Sequence, residues 1–320
     1  MTALLRGSRV GCGQIVVNTL TTLDPKASNP YVTLGRRRRI EIDDVPRRPA
    51  LGFKDMARSR EVKVGTCVME FVSPGIGKIL KAAGCDFVFF DMEHAGFTFE
   101  TVNNVLRYME AAQLPVVIRP ASKTYHDVAM ACDLGAEALL LPHVRNAQEA
   151  SQILDWMKYP PEGHRGVALQ IAHDDYRPGP ARQKLADANR RTTLFATIEN
   201  RDGLDDVEAI AAIDGVDGLW LGHNDLSSSL GIPGEFAHPT FLEAADRIRR
   251  ACLANGKSYG RVPSSVDEAV ELFESGADMI VCSGDIWLLL EALQGMVDAI
   301  RASCTGEAGG GRPTPAAFSR

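Results

Sequence analysis

Residues Leu194–Asp225 read LFATIENRDGLDDVEAIAAIDGVDGLWLGHND, and this stretch decides the fold. Two short apolar runs, FATI and LWL, flank a single helical pattern. Each run leads into a carboxylate, Glu199 after the first and Asp225 shortly after the second. Continuous apolar runs of this length read as strands buried on both faces, and a helix between two such strands makes them parallel neighbours. Both acids then arrive at the same edge of one sheet. Two carboxylates at that edge suit a hard divalent cation, whose remaining coordination positions stay open to water or substrate. The competing reading makes both acids helix caps, Glu199 before the helix near Gly203 and Asp225 before Leu226.

The same unit repeats on either side. Candidate strands fall at residues 64–69, 86–91, 115–119, 138–142, 194–198, 218–221, 257–261 and 278–282, eight in all, with helical patterns between them. Gly84, Gly135, Gly256 and Gly276 close helices where a left-handed residue is favoured. Eight such units predict a single (β/α)8 TIM barrel, which needs roughly 250 residues. The alternative, an open doubly wound sheet, would carry a glycine-rich phosphate turn after its first strand, and Glu70-Phe71-Val72-Ser73-Pro74-Gly75 is not one. The predicted organisation is a barrel over 56–302, an irregular or disordered basic extension over 1–55, and a disordered tail over 303–320. One long connection, 158–193, is expected to be a lid or a substrate wall.

Charge and cysteine usage narrow the function classes. Residues 1–60 carry 12 Lys and Arg against 5 Asp and Glu, whereas the whole chain is −6, so the remainder holds −13. An acidic body argues against a nucleic-acid surface. The run Arg36–Arg39 sits in a segment without periodicity. Either it belongs to an organellar transit peptide, or Met56 is the true start. Seven cysteines without CxxC spacing indicate reduced thiols, and no apolar run is long enough to span a bilayer. The expected setting is the cytoplasm.

Polar residues gather where the predicted strands end. Asp91, Glu93 and His94 follow the second strand, Arg119 ends the third, Glu199 follows the fifth and Asp225 the sixth. C-terminal strand ends form the face on which barrels carry their active sites. His143, after the fourth strand, is read as structural. No lysine ends a strand, since Lys257 begins one, which disfavours Schiff-base chemistry.

The strings FDMEHAGF, VVIRPA, KYPPEGHRGV, TIENRDGLDDVEAIAAIDGVDGLWLGHNDLS, HPTF and ESGADMIV, in this order, resemble the class II pyruvate aldolases of the HpcH/HpaI family, in the phosphoenolpyruvate/pyruvate barrel superfamily. The resemblance spans about residues 64–302. It implies a metal-dependent, reversible aldol cleavage of a 4-hydroxy-2-oxo acid to pyruvate and an aldehyde through a pyruvate enolate. It further implies that Glu199 and Asp225 ligate Mg²⁺, Mn²⁺ or Co²⁺ and that Arg119 binds the oxygen that becomes the enolate. His94, paired with Asp91, moves the proton of the 4-hydroxyl, and the amides around Asn224 and Asp225 hold the pyruvate carboxylate. A homohexamer follows from the same resemblance, a trimer of dimers that exchange the last helix, 286–302.

Three positions depart from the commoner family pattern: Thr197 where many members have Gln, His223 where they have Pro, and Arg261 where the seventh strand ends in an apolar residue. Thr197 remains a candidate substrate contact. Arg261 is expected to hold a second anionic group of a dicarboxylic or sugar-acid substrate, with a salt bridge to a nearby loop as the alternative. Two other functions use the same enolate, oxaloacetate decarboxylation and a macrophomate-synthase-like reaction. A third possibility is a non-catalytic barrel that binds a keto acid.

Overall fold

The computed structural model describes residues 52–305 and two short strands, β1 (Gln14–Val16) and β2 (Arg39–Glu41), which pair antiparallel with each other. Most of the extension expected over 1–55 and of the tail expected over 303–320 lies outside the described residues. From Lys63 onward eight parallel strands close on themselves: β3 (Lys63–Val68), β4 (Phe87–Asp91), β5 (Val116–Arg119), β6 (Ala138–Leu141), β7 (Thr193–Ile198), β8 (Val216–Leu221), β9 (Ser258–Arg261) and β10 (Met279–Gly284). Each pairs with the next in sequence, and β10 returns to β3. The expected TIM barrel is therefore the observed fold, with strand ends displaced by one or two residues.

Alternation along each strand separates two apolar layers. In β7, Leu194, Ala196 and Ile198 face the surrounding helices, while Phe195 packs inside the barrel. Thr197, and Glu199 just past the strand, share the inward parity of Phe195. Inside, the Trp220 ring occupies the space that a Cβ on Gly260 would take. That glycine lets one indole fill the middle of the barrel.

The end of the barrel opposite the site is plugged by helix α1 (Phe53–Arg58). Phe53, Met56 and Ala57 join the inner layer, and the Phe53 ring meets Phe87 and Phe195 edge-on at 5.9 Å each. The boundary expected at 56 thus falls within a helix whose first residue is part of the core. Six residues are too few for helical periodicity to show in sequence. Phe53→Ala is expected to cost about 3–5 kcal/mol of stability, read from the denaturant midpoint. A variant begun at Met56 loses the ring altogether.

Helices α2 (Ile76–Ala82), α3 (Phe99–Ala111), α4 (Tyr125–Asp133) and α5 (Ala147–Met157) cover the first half of the barrel. The long connection then leaves α5 and returns to the start of β7, so both its ends lie at the plugged end, away from the candidate site. It holds a 3-10 turn (Ala172–Asp174) and helix α6 (Ala181–Arg191). It is also anchored, because Arg165 pairs with Asp133 at 2.5 Å and stacks over the buried Tyr159 ring at 4.3 Å. A wall on the outside of the barrel describes this segment better than a lid.

The second half carries α7 (Arg201–Asp205), α8 (Val207–Ala212), α9 (His223–Ser229), α10 (Pro239–Ala254), α11 (Val266–Glu274) and α12 (Asp285–Thr305). Helix α12 runs past the boundary expected at 303. None of its side chains is buried, and Leu288, Leu289, Leu290, Leu293, Met296, Val297 and Ile300 are 40–62% exposed. Among the described residues no helix is long and apolar enough to cross a membrane.

Candidate active site

The register of two neighbouring strands builds the first part of the site. Asp91 and Arg119 end β4 and β5 and stand directly opposite one another in the ladder. Arg119 donates from Nε to Asp91 Oδ1 at 2.7 Å and from Nη2 to Oδ2 at 2.6 Å, a two-pronged bond to a carboxylate with no solvent exposure. Burial by itself lowers the pKa of the guanidinium. The bonds to Asp91 and the charge of Glu93 outweigh it, and the pKa ends above the ordinary arginine value. Asp91 Oδ1 also accepts the Glu93 amide at 2.9 Å, which turns the Glu93 side chain back so that its Oε2 lies 3.2 Å from Arg119 Nε. The guanidinium rests 5.0 Å over the Phe89 ring.

The second part forms where β6 and β7 end. Glu199 is 2% exposed, and its Oε1 accepts the backbone N–H of His143 at 2.5 Å. His143 adopts φ 49°, a left-handed conformation that a non-glycine residue keeps only where its surroundings impose it. Its ring lies between two acids, Nδ1 at 3.5 Å from Glu199 Oε1 and Nε2 at 3.5 Å from Glu93 Oε1. Burial raises the pKa of the Glu199 carboxyl and nearby Glu93 adds to the rise. The His143 amide and ring and the Arg119 charge oppose it without cancelling it.

Arg119, Asp91 and Glu199 thus meet as the strand-end pattern anticipated, joined through Glu93 and His143. His94 is half exposed, with Nε2 3.7 Å from Glu93 Oε2. The expected pairing of His94 with Asp91 is not the one observed, because Arg119 takes both Asp91 oxygens. Thr197 lies inside the barrel on the strand leading to Glu199, and its buried Oγ1 has no hydrogen-bond partner. Asn224 and Asp225 sit exposed in the first turn of α9, where the Asn224 carbonyl accepts the Ser227 and Ser228 hydroxyls at 2.8 and 2.9 Å. Arg261 is not part of this group. It shares the outward parity of Tyr259, whose hydroxyl lies 3.4 Å from Nη1, while Nη2 is 3.4 Å from Glu268 Oε1 and Nε is buried without a partner. His143, read from the sequence as structural, stands within this group, and it obeys the same strand-end rule, following Pro142 past β6.

These residues can be tested against a divalent cation. Among the described residues no three of His, Cys, Asp and Glu converge as a closed metal cage. A magnesium-like ion needs none, since it takes one or two carboxylates and keeps several waters. Glu199 offers a buried carboxylate whose charge its surroundings do not fully offset. A Cβ on Gly222 would run into Glu199 Oε2, so this glycine keeps the space beside that oxygen free. Asp225 follows three residues later and is exposed. Two carboxylates with room for water suit a hard, oxygen-loving divalent ion.

A model of the HpcH/HpaI aldolase/citrate lyase family matches residues 70–292. The chain belongs to this family. Among its relatives is the 5-keto-4-deoxy-D-glucarate aldolase of Enterobacter sp. (strain 638), 30% identical over 249 residues that cover 78% of this chain and 96% of the relative. Among solved structures, an HpcH/HpaI aldolase/citrate lyase family protein from Burkholderia cenocepacia J2315 is 30% identical. It covers 78% of this chain and 98% of its own, with a TM-score of 0.72. An HpcH/HpaI aldolase from Desulfitobacterium hafniense DCB-2 is 29% identical, covers 80% and 96%, and has a TM-score of 0.69. This family member is an aldol-cleaving carbon–carbon lyase.

Proposed function

We propose that the enzyme cleaves a 4-hydroxy-2-oxo acid reversibly to pyruvate and an aldehyde, and that its substrate is a dicarboxylic sugar acid. The observation that carries this reading is the buried Asp91–Arg119 pair set beside the Glu93–His143–Glu199 group at one rim. Breaking the C3–C4 bond requires a sink for the electrons that flow toward C2 and a base for the C4 hydroxyl. Arg119, its orientation fixed by Asp91, donates to the C2 oxygen as negative charge builds there, so its bond strengthens in the transition state. His94 takes the hydroxyl proton at a ring nitrogen, with Glu93 as its neighbouring carboxylate, and the enolate left by the cleavage becomes pyruvate when that proton is returned at C3. The Thr197 hydroxyl, otherwise without a partner, donates to a substrate oxygen. The amides of Asn224 and Asp225 are in the first turn of α9 and have no intrahelical acceptor, which suits them to the substrate's C1 carboxylate. A divalent ion, Mg²⁺, Mn²⁺ or Co²⁺, held by Glu199 and Asp225 would supply Lewis-acid stabilisation of the C2 oxygen.

The relative named for 5-keto-4-deoxy-D-glucarate supports an aldarate substrate, with a carboxylate at each end. The exposed apolar side of α12 supports packing against a second copy of the chain, as in a hexamer of helix-exchanging dimers. The free thiols of Cys67, Cys85, Cys132, Cys252, Cys282 and Cys304 fit a cytoplasmic setting. The test is pyruvate release from a panel of 4-hydroxy-2-oxo acids with each of the three ions, then after chelation. Release that stops on chelation and returns with metal is the expected result. Absence of pyruvate from every acid with every ion overturns the proposal.

A further inference from the structure

Resting on the aldolase reading, we infer that the substrate carboxylate remote from the cleaved bond is received by Lys123, Arg145 and Arg201, and not by Arg261. Each of these three lies two to four residues beyond a residue of the site: Lys123 beyond Arg119, Arg145 beyond His143, and Arg201 beyond Glu199. The loops that build the reacting centre therefore also deliver three cations to the same edge of the barrel mouth. Together with His143, the residue whose ring lies between Glu93 and Glu199, they line a cavity of about 480 Å³. A substrate anchored by its oxo end at Arg119 and Glu199 can extend past that ring into this cavity.

Charge decides between the two sides of the mouth. In the cavity beside His143 one carboxylate, Glu149, serves two of the cations, Lys123 at 2.9 Å and Arg145 at 3.1 Å. The Arg201 guanidinium reaches only the Ser229 carbonyl, at 3.5 Å, among the described residues. Even with Asp202 counted, the three cations outnumber the acids by one. The cavity that Arg261 lines is the reverse. There Glu268, Glu271 and Glu291 face one arginine, and Trp287 and Leu290 supply apolar wall. An incoming carboxylate is attracted to the first and repelled by the second. A guanidinium with only a weak carbonyl contact is also the better receptor, because its planar fork can bond both oxygens of a carboxylate.

The experiment compares kcat/KM for a dicarboxylic 4-hydroxy-2-oxo acid with that for a monocarboxylic one of equal chain length. It uses the wild type, the double variant Arg145→Gln/Arg201→Gln, and Arg261→Gln. The ratio of the two values is the readout, so a general loss of activity or folded fraction cancels. The ratio is expected to fall at least tenfold in the double variant, about 1.4 kcal/mol, chiefly through KM for the dicarboxylic acid. It is expected to hold in Arg261→Gln. An unchanged ratio in the double variant, or a fall in Arg261→Gln instead, overturns this assignment and leaves the aldolase reading in place. A wild type that releases pyruvate from neither acid overturns the aldolase reading and this assignment with it.

Discussion

Lysine at position 119 is expected to lower kcat for pyruvate release by roughly a hundred- to a thousandfold, the range found when one preorganised donor to a developing oxyanion is removed. The charge survives this change but the geometry does not. Arg119 spends Nε and Nη2 on the two oxygens of Asp91, which leaves the rest of its fork for substrate. An ammonium is a single point with rotatable donors and cannot grip Asp91 along both oxygens while facing the substrate at a fixed angle. Alanine is the poorer test. It strands Asp91, wholly buried, with only the Glu93 amide among its described partners, and breaking a buried pair in this way costs about 3–5 kcal/mol. Loss of fold would then be mistaken for loss of chemistry. With lysine, a thermal melt near the wild-type midpoint accompanied by a kcat reduced a hundredfold or more ties the effect to the reaction. A kcat within tenfold of wild type removes Arg119 from it.

Arg119 and Arg261 also show what the sequence could and could not disclose. Each is the last residue of its strand, and strand ends are visible because parallel, doubly buried strands read as unbroken apolar runs. Which face a strand-end residue takes depends on parity. Arg119 keeps the inward parity of Val117, whereas Arg261 keeps the outward parity of Tyr259. In a run buried on both faces nothing marks the inner residues, so the two arginines look alike until the barrel is closed. Helix starts carry a local signal that the helical patterns above did not use: Thr98, Thr124, Asn146, Asn200 and Ser265 each cap one through a side-chain oxygen. The partners of Asp91 were not legible, because pairing with Arg119 rather than His94 follows from inter-strand register. The left-handed turn at His143 is likewise imposed by Glu199, 56 residues away in the chain.

Glu199→Gln is expected to separate the contribution of the proposed metal from that of the fold. The substitution keeps an oxygen to accept the His143 amide and changes the volume little, so the barrel rim should hold its shape. It removes a charge that is buried and lies near a second acid. Because the folded pKa is raised, the stability linked to this carboxyl is fully present below its unfolded value and is lost as pH rises through the folded value. At neutral pH the metal-free variant should therefore melt no lower than the metal-free wild type. Divalent ion should then divide them. At a hundred times its dissociation constant an ion stabilises its holder by about 2.7 kcal/mol, a rise in melting temperature expected for the wild type and absent from Glu199→Gln. Asp225→Asn, in an exposed turn with little to unfold, should lose most of the same rise. Pyruvate release in Glu199→Gln should fall at least about a hundredfold with metal in excess. If the glutamine variant still gains the full thermal shift, the ion binds elsewhere, and the buried acid beside His143 serves the rim's structure and not the cleavage of the substrate.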